Sequence, residues 1–525
     1  MKVYERLADA FISEGTTHVF GMMGDGNMYW MNSLIDKGVE CVEVRHEGVG
    51  MGMADGWARH TTRPGVATAT CGPGVTQLAT ACVVAARAES PVVAFVGERP
   101  WKDPDYHQAL NQSRFADGVE TAFIRLDVGE FADEAVRRAF YKAKLERKPV
   151  MLSCPMDIQQ EKWEDDDPYR PSAAMMPAGG GPIDEVALRK AADLIAKSKK
   201  PVIVVGRGAV WSGAGDAVLK VGERIGALIG TSLRAKTFLA DRTDYHAGIS
   251  GLYAQRAAMQ LFHEADVVIG VGASLNRHTT EHGYIYPNAK YIQLDPKPHV
   301  VLGNGKGADI YVQCDGKEGL EALDALLEKQ GVKQSGYRTG ETLERLSNMY
   351  EDRTEFEIEA GTIDPRRVAQ AVDEIIPGDI GMFIGSGAQS SLTAMNTKKP
   401  RPYVHNSGFF GCIGQMFPAA MGIMFATGKK PAVLIDGDAS TMMHLSDFDT
   451  LIRYNMPLLI VVQNDEALGS EYQKLRAHDM NPETSAIKSP DMGAIARAWG
   501  GRGCLARSVE EVRNGSRSGW RTRGR

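Results

Sequence analysis

Ala432-Val433-Leu434-Ile435-Asp436-Gly437-Asp438-Ala439-Ser440 is an aliphatic run that stops at a carboxylate–glycine–carboxylate turn and passes into small residues. Unbroken apolar runs of this length, without polar alternation, mark strands buried on both faces of a parallel sheet. A second run, Leu458-Leu459-Ile460-Val461-Val462, follows a helical stretch and ends in Gln463-Asn464-Asp465-Glu466-Ala467-Leu468-Gly469. Such a strand–helix–strand unit puts Asp438 and Asp465 beyond the carboxyl ends of neighbouring strands, the edge where open α/β sheets bind ligands. Two hard oxygen ligands there suit Mg²⁺, which takes few carboxylates and completes its shell with phosphate oxygens. Gly437, Ala439 and Ser440 are small enough for backbone N–H groups to approach a phosphate at the start of the next helix. Asp436, Asp438 and Ser440 also mimic the first positions of an EF-hand. Thr441 and Asp447 stand where that loop needs Gly and Glu, which disfavours it. Turn chemistry after a strand is the other reading of these residues alone.

The same strand signature recurs at 91–97, 149–153, 201–206 and 265–271, each run flanked by helical stretches. It falls in three blocks, so the expected fold is α/β with three doubly wound parallel-sheet domains. An acidic segment, Glu161 to Asp167, runs into a Pro/Gly-rich stretch, 171–182, that reads as a linker. A second join lies between about 330 and 365. The domains are therefore expected at 1–170, 183–330 and 365–525. After Ser508-Val509-Glu510-Glu511-Val512 the helical pattern breaks into a run with five arginines, Arg513 to Arg525. That run reads either as a disordered tail or, preferably, as an altered or truncated C-terminus after about residue 512.

The chain has 525 residues, 43% hydrophobic and 24% charged, enough to bury several cores. Lys+Arg 60 against Asp+Glu 66 gives a net charge of −6, which argues against nucleic-acid or anionic-membrane partners. No apolar run approaches the ~20 residues of a membrane span, and Met1-Lys2-Val3-Tyr4-Glu5 lacks a signal-peptide plan. Seven scattered cysteines without a CxxC pair point to a reducing cytoplasm rather than a disulfide scaffold.

Glu47, in Val44-Arg45-His46-Glu47-Gly48-Val49-Gly50-Met51-Gly52-Met53-Ala54-Asp55-Gly56, ends a strand and begins an unusually small, apolar helix. Such surroundings favour a protonated carboxyl; the plain alternative is a helix-N-terminal glutamate. In order along the chain, Glu47, Cys71-Gly72-Pro73-Gly74 and Gly437-Asp438-Ala439…Asn464-Asp465 resemble the thiamine-diphosphate (ThDP) enzymes of the acetolactate synthase and pyruvate decarboxylase superfamily. The resemblance covers about residues 1–512. The glycine-rich stretch Asn406-Ser407-Gly408-Phe409-Phe410-Gly411-Cys412-Ile413-Gly414-Gln415 is similar to the family's run before the metal motif.

The resemblance implies a pyrimidine-binding N-terminal domain, a central domain and a C-terminal diphosphate- and Mg²⁺-binding domain. Glu47 matches the glutamate that bonds the cofactor's aminopyrimidine and promotes loss of the thiazolium C2 proton. Ile413 matches the bulky residue that supports the bent cofactor. Asp438, Asp465 and the carbonyl of Ala467 match the metal ligands, within a binding run that includes Gly437, Ala439, Ser440 and Gly469. Ser386, Gly387, Ala388 and Gln389 fall where the diphosphate loop lies. The family's active site forms between two subunits, so a homodimer or tetramer is expected. Where the family reads Gly-Asp-Gly and Asn-Asn, this chain has Ala439 and Asp465. Alanine is a small change only if that residue's φ is negative.

For the reaction, Gly24-Asp25-Gly26-Asn27 resembles the turn whose aspartate handles protons in pyruvate decarboxylase-type enzymes. Glu471 falls where those enzymes keep a catalytic glutamate, and His107 lies near their histidine pair. Gln108 replaces the second histidine and fits the acetolactate synthase pattern equally. Asp25, His107 and Glu471 together favour general acid work after CO₂ loss, hence decarboxylation of a 2-oxo acid. An acetolactate synthase-like carboligase and an inactive homologue with a structural or regulatory role are the alternatives. A substrate pocket is expected from Met22, Met23, Met28 and Trp30. Acetolactate synthases carry FAD in the central domain and many relatives do not; no residue here indicates it, and a lone G-x-G at Gly206 and Gly208 does not make a dinucleotide site.

Overall fold

The computed structural model describes residues 1–525 apart from 166, 178, 180, 300–306, 352–353 and 522–525. Parallel strands form three separate sheets, each interleaved with helices. The first contains β1 (His18–Gly21), β2 (Glu40–Glu43), β3 (Gly65–Ala69), β4 (Val92–Glu98), β5 (Ala122–Arg125) and β6 (Pro149–Pro155), in the order β2-β1-β3-β4-β6-β5. The second contains β7 (Pro201–Val205), β8 (Leu228–Thr231), β9 (His246–Ile249), β10 (Val267–Val271), β11 (Lys290–Asp295) and β12 (Ile310–Gln313), in the order β12-β11-β10-β7-β8-β9. The third is a four-stranded sheet of β13 (Gly381–Ile384), β14 (Val404–Asn406), β15 (Ala432–Gly437) and β16 (Leu458–Gln463), in the order β14-β13-β15-β16. Chain order reverses near the middle of each sheet, which is the doubly wound arrangement expected from the continuous apolar runs.

β4, β6, β7 and β10 are buried along their whole length. The expectation of full burial fails for β16, which is only half-buried throughout. It pairs with β15 alone, Ala432 opposite Leu458 through Gly437 opposite Gln463, and so has a free side. The break in helical pattern expected after Val512, and with it the disordered-tail reading, is not found among the described residues. A helix runs on from Val509 to Arg521 beside the helix Pro365–Ile375, burying Val512 and Ser516 and pairing Arg513 with Glu374 at 3.0 Å. Small residues at 515, 516 and 519 give that helix a face that packs without bulk. Residues 522–525 of the run, Asp166 of the acidic segment and 178 and 180 of the linker lie outside the described residues. Among the described residues no helix is long and apolar enough to cross a membrane, and all seven cysteines are free.

The first and third sheets are joined by two helices, Glu47–Thr61 and Met416–Ala426. The second is apolar all round and buried from Met416 to Phe425, as a helix packed on every side must be. The two backbones touch: a Cβ on Gly56 would fall 2.0 Å from the Ala419 carbonyl oxygen, and one on Gly422 1.9 Å from that of Met53. The small residues following Glu47 therefore serve helix–helix contact.

Candidate functional site

The carboxyl ends of β15 and β16 carry the two aspartates singled out above. Asp438 is the first residue of a short helix, Asp438–Met442, and is buried. The Ser489 hydroxyl donates to its Oδ2. Asp465 lies beyond β16, with the Ala467 backbone N–H donating to its Oδ1 at 3.3 Å. The two carboxyls face each other, and burial followed by the charge of Asp438 holds the Asp465 carboxyl above the ordinary range. At Gly469, the start of the helix Gly469–Ala477, a Cβ would fall 2.2 Å from Asp465 Oδ2, so only glycine lets the carboxylate take this position.

Asp436 has a different task. It is fully buried, accepts from the Gly437 N–H at 2.8 Å and the Ser440 hydroxyl at 2.7 Å, and lies 3.4 Å from Gln389 Nε2. Burial pushes its carboxyl up to about 7. Its oxygens are used inside the fold, which removes the EF-hand reading. Ala439 sits inside the Asp438 helix and outside the positive-φ residues, so alanine in place of the family's glycine brings no strain.

Three further segments join this end. The Ser386 and Ser407 hydroxyls meet at 2.9 Å, tying the end of β14 to the turn after β13. Gly387, at φ 126°, carries that turn into the helix Ala388–Asn396, and Gln389 Nε2 donates to the Ser386 carbonyl at 3.0 Å. The Gly414 N–H donates to Ser440 at 2.8 Å, drawing the Ile413 segment onto the Asp438 helix. Residues 386–389, 407, 413–414, 437–440 and 465–469 thus form one polar, backbone-rich cluster.

Glu47 opens the second group, at the ends of β1, β2 and β3. It is half-buried at the first position of its helix, with Oε1 3.2 Å from where a side chain on Gly74 would begin. Nearby, the Cys71 thiol donates to Gln108 Oε1 at 3.0 Å. Burial pushes that thiol up, with Asp25 adding to the effect. The Gln108 carbonyl oxygen would sit 2.3 Å from a Cβ on Gly72, so the 99–111 segment closes directly over the Cys71-Gly72 turn. Asn27 fixes the turn holding Asp25: its Oδ1 accepts from the Gly24 N–H at 2.8 Å, and its Nδ2 donates to the Met22 carbonyl at 3.0 Å and Thr68 Oγ1 at 2.9 Å. Asp25, Cys71, Gln108 and Glu47 thereby share one end of the first sheet.

His107 is exposed, its ring against Tyr106 at 4.8 Å. Glu471 is exposed on its helix and meets Lys474 at 3.4 Å. The substrate-pocket expectation fails at Trp30, which is fully buried and stacked on Phe95 at 4.3 Å in the core of the first domain. Sequence reasoning passed over Ser489 and His444, and quoted Ser407, His46 and Gln415 only within motifs, without a role. His444 Nε2 lies 3.4 Å from Gln415 Nε2, and burial pushes His444 down to about 4. Histidines on both sides of motifs already under discussion were the available signal.

The donor set fits a magnesium diphosphate. Two mutually repelling carboxylates and the Ala467 carbonyl are hard oxygens for the ion, while Gly437, Ala439 and the Ser386–Gln389 turn offer backbone beside them. Among the described residues no group of three or more His, Cys, Asp or Glu side chains gathers at a metal-binding spacing, so the ion's remaining ligands would come from phosphate.

Comparison with known proteins agrees across all three sheets. The thiamine pyrophosphate enzyme N-terminal TPP binding domain matches residues 1–119, the central domain matches 188–323, and the C-terminal TPP binding domain matches 379–521. The probable acetolactate synthase large subunit of Methanocaldococcus jannaschii is 28% identical over 534 residues, covering 98% of this chain and 89% of the relative. The acetolactate synthase large subunit of Haemophilus influenzae is 26% identical over 522 residues, covering 97% and 90%. The sulfoacetaldehyde acetyltransferase of Castellaniella defragrans is 27% identical over 541 residues, covering 97% and 88%. With its three parallel-sheet domains matched in order, the chain belongs to the thiamine pyrophosphate (thiamine diphosphate) enzyme family.

Proposed function

We propose that the protein is a ThDP- and Mg²⁺-dependent enzyme that breaks or forms a C–C bond beside a carbonyl, acting on a 2-oxo acid with loss of CO₂. The observation that carries this reading is the placing of Asp438 and Asp465 together at the carboxyl ends of adjacent strands. Asp438, Asp465 and the Ala467 carbonyl would hold Mg²⁺, and the Ser386–Gln389 turn with Gly437 to Ser440 and Gly469 would receive the diphosphate. When bound, ThDP supplies a nucleophilic carbon and an electron sink next to a carbonyl. Glu47 would hold a proton at Oε1 and pass it to and from the aminopyrimidine, and Ile413 would support the cofactor's bend. Asp25 and His107, with Gln108 as a hydrogen-bonding neighbour, would donate a proton to the departing product, and Glu471 would join them on closure of its helix.

Glu47 and Asp438 belong to different sheets, and no hydrogen bond joins their side chains among the described residues, although the neighbouring Arg45 N–H donates to Asp447 at 2.9 Å. Two copies of the chain, each completing the other's site, supply the missing half, as a homodimer or a tetramer. Free cysteines throughout and a small-molecule substrate suit a cytoplasmic enzyme.

A carboligase is the second reading, favoured by the acetolactate synthase names of two of the three relatives described and by Gln108. The test is product analysis with pyruvate, ThDP and Mg²⁺. Acetaldehyde supports simple decarboxylation, acetolactate supports carboligation, and absence of metal-dependent ThDP binding would indicate an inactive homologue.

A further inference from the structure

Three guanidinium groups surround one phenyl ring where the three sheets meet. Arg59 from the Glu47 helix, Arg207 from the end of β7 and Arg234 from the end of β8 stand 4.4, 5.4 and 3.7 Å from the ring centre of Phe409. Phe409 lies two residues after Ser407, whose hydroxyl meets Ser386 of the diphosphate turn. A fourth guanidinium, Arg147, stacks on Trp211 at 3.6 Å, and Arg207 shares that indole at 4.1 Å.

Counter-charge is scarce. Asp55 is bound by Arg59, and Glu89 by Arg207 at 2.9 Å, with Lys297 at 3.9 Å. Arg234 makes no hydrogen bond or ion pair among the described residues, and it is open to solvent. The Nε and one terminal nitrogen of Arg147 are buried without a partner. Burial brings Arg207 to about 10, and the charge of Arg147 beside it works in the same direction. His278 also faces Arg234 and is held down by burial, Arg277 and Arg234. Four guanidiniums and an ammonium against two carboxylates, at a corner water can enter, form a receptor for an oxyanion; guanidiniums bind such groups in paired, charge-assisted bonds.

We propose that Arg234, assisted by Arg147 and Arg207, binds a second anionic group at the far end of the substrate, so that the enzyme prefers 2-oxo acids carrying a terminal carboxylate or similar oxyanion. This rests on the 2-oxo acid reading above and narrows its substrate class. Phe409, two residues beyond Ser407 and beneath the guanidiniums, would set the length of substrate that reaches them.

The test uses the full chain with ThDP and Mg²⁺, comparing 2-oxoglutarate with 2-oxopentanoate, which have the same carbon count and differ in the terminal carboxylate. CO₂ release gives kcat/KM, and calorimetry gives binding. The expected preference for 2-oxoglutarate is at least about 10-fold, as one charge-assisted hydrogen bond provides. Arg234→Gln should cut the ratio between the two acids by about 10- to 100-fold, mainly through KM, and Arg234→Lys should restore part of it. Arg234 has no internal bond to lose, so an unchanged melting temperature shows the variant is folded. If neither acid is turned over but 2-oxoglutarate binds the native chain and not Arg234→Gln, the oxyanion site stands and decarboxylation falls. Equal use of both acids, or a ratio and binding indifferent to Arg234→Gln, overturns the site while turnover keeps the broader reading. A stoichiometric nucleotide released from the purified protein, displaced by neither acid, also overturns it.

Discussion

Asp465 sits against Asp438 across the ends of two adjacent strands, one carboxylate raising the other's affinity for a proton after burial has begun the effect. Two such groups tolerate each other best with a cation between them. Asp438→Ala should lower ThDP affinity at least about 100-fold and abolish its dependence on Mg²⁺. Asp465→Asn, which restores the residue seen in the resembling enzymes, should keep metal-dependent binding. Calorimetric titration with and without EDTA checks both; retained Mg²⁺ dependence in Asp438→Ala removes the metal assignment.

Glu47 approaches Gly74 closely at the mouth of the first sheet. Glu47→Gln keeps shape and removes the acid–base function, so exchange of the cofactor's C2 proton should fall by about 100-fold or more, while ThDP affinity changes by less than about 10-fold. Proton exchange followed by NMR reads the first quantity, and calorimetry the second. Undiminished exchange would end the proposed role.

The seam between the Glu47 and Met416 helices depends on backbone contact. Gly56→Val or Gly422→Val places branched carbon within about 2 Å of a facing carbonyl, as the Cβ distances of 2.0 and 1.9 Å show. Each should destabilise the protein by roughly 1–3 kcal/mol or more. Gly118→Val, where nothing lies within 4 Å of an added Cβ, is the control for the steric effect. Equal losses in urea midpoint for all three would mean that the contact contributes nothing.

Burial pushes His246 and His444 down to about 4 and His405 to about 3. Unfolded histidine takes up its proton near 6.5. Between those values the unfolded chain binds more protons than the folded one, so stability falls as pH drops from about 6.5 towards 4. The loss is roughly 1 kcal/mol per pH unit for each histidine; Asp436, raised to about 7, gains its proton in the folded chain and offsets about one of the three. Urea denaturation at pH 7 and pH 5 should show the midpoint falling, and His246→Asn should flatten the dependence. A midpoint as high at pH 5 as at pH 7 would contradict it.

How much of this was legible follows from the range of each interaction. Strands such as 201–205 and 267–271 announce themselves because a parallel strand buried on both faces needs an unbroken apolar run. Asp438 and Asp465 were legible because each closes such a run. β16 looked the same in sequence, yet its half-burial depends on which strand lies beside it, which a local pattern does not record. Trp30 was read as pocket lining; its stacking on Phe95 is a contact between distant segments, which its own stretch of sequence does not show. The helix continuing past Val512 was missed because its face is built from serine and glycine, residues that signal breaks when read alone. The guanidinium corner was invisible for the same reason: Arg59, Arg147, Arg207 and Arg234 are scattered along the chain and meet only in the tertiary fold.

The glycine seam also sets a timetable for synthesis. The Glu47 helix is made early, and its partner, Met416–Ala426, emerges only after both intervening blocks. Until then the first domain carries an uncovered apolar, glycine-lined stripe on an otherwise complete sheet. Contacts this distant in sequence close slowly, and the exposed stripe is an aggregation hazard during that wait. Expression at lower temperature, or with abundant chaperones that shield nascent chains, should therefore raise the soluble yield of this protein more than it would for its first domain's neighbours in a shorter chain.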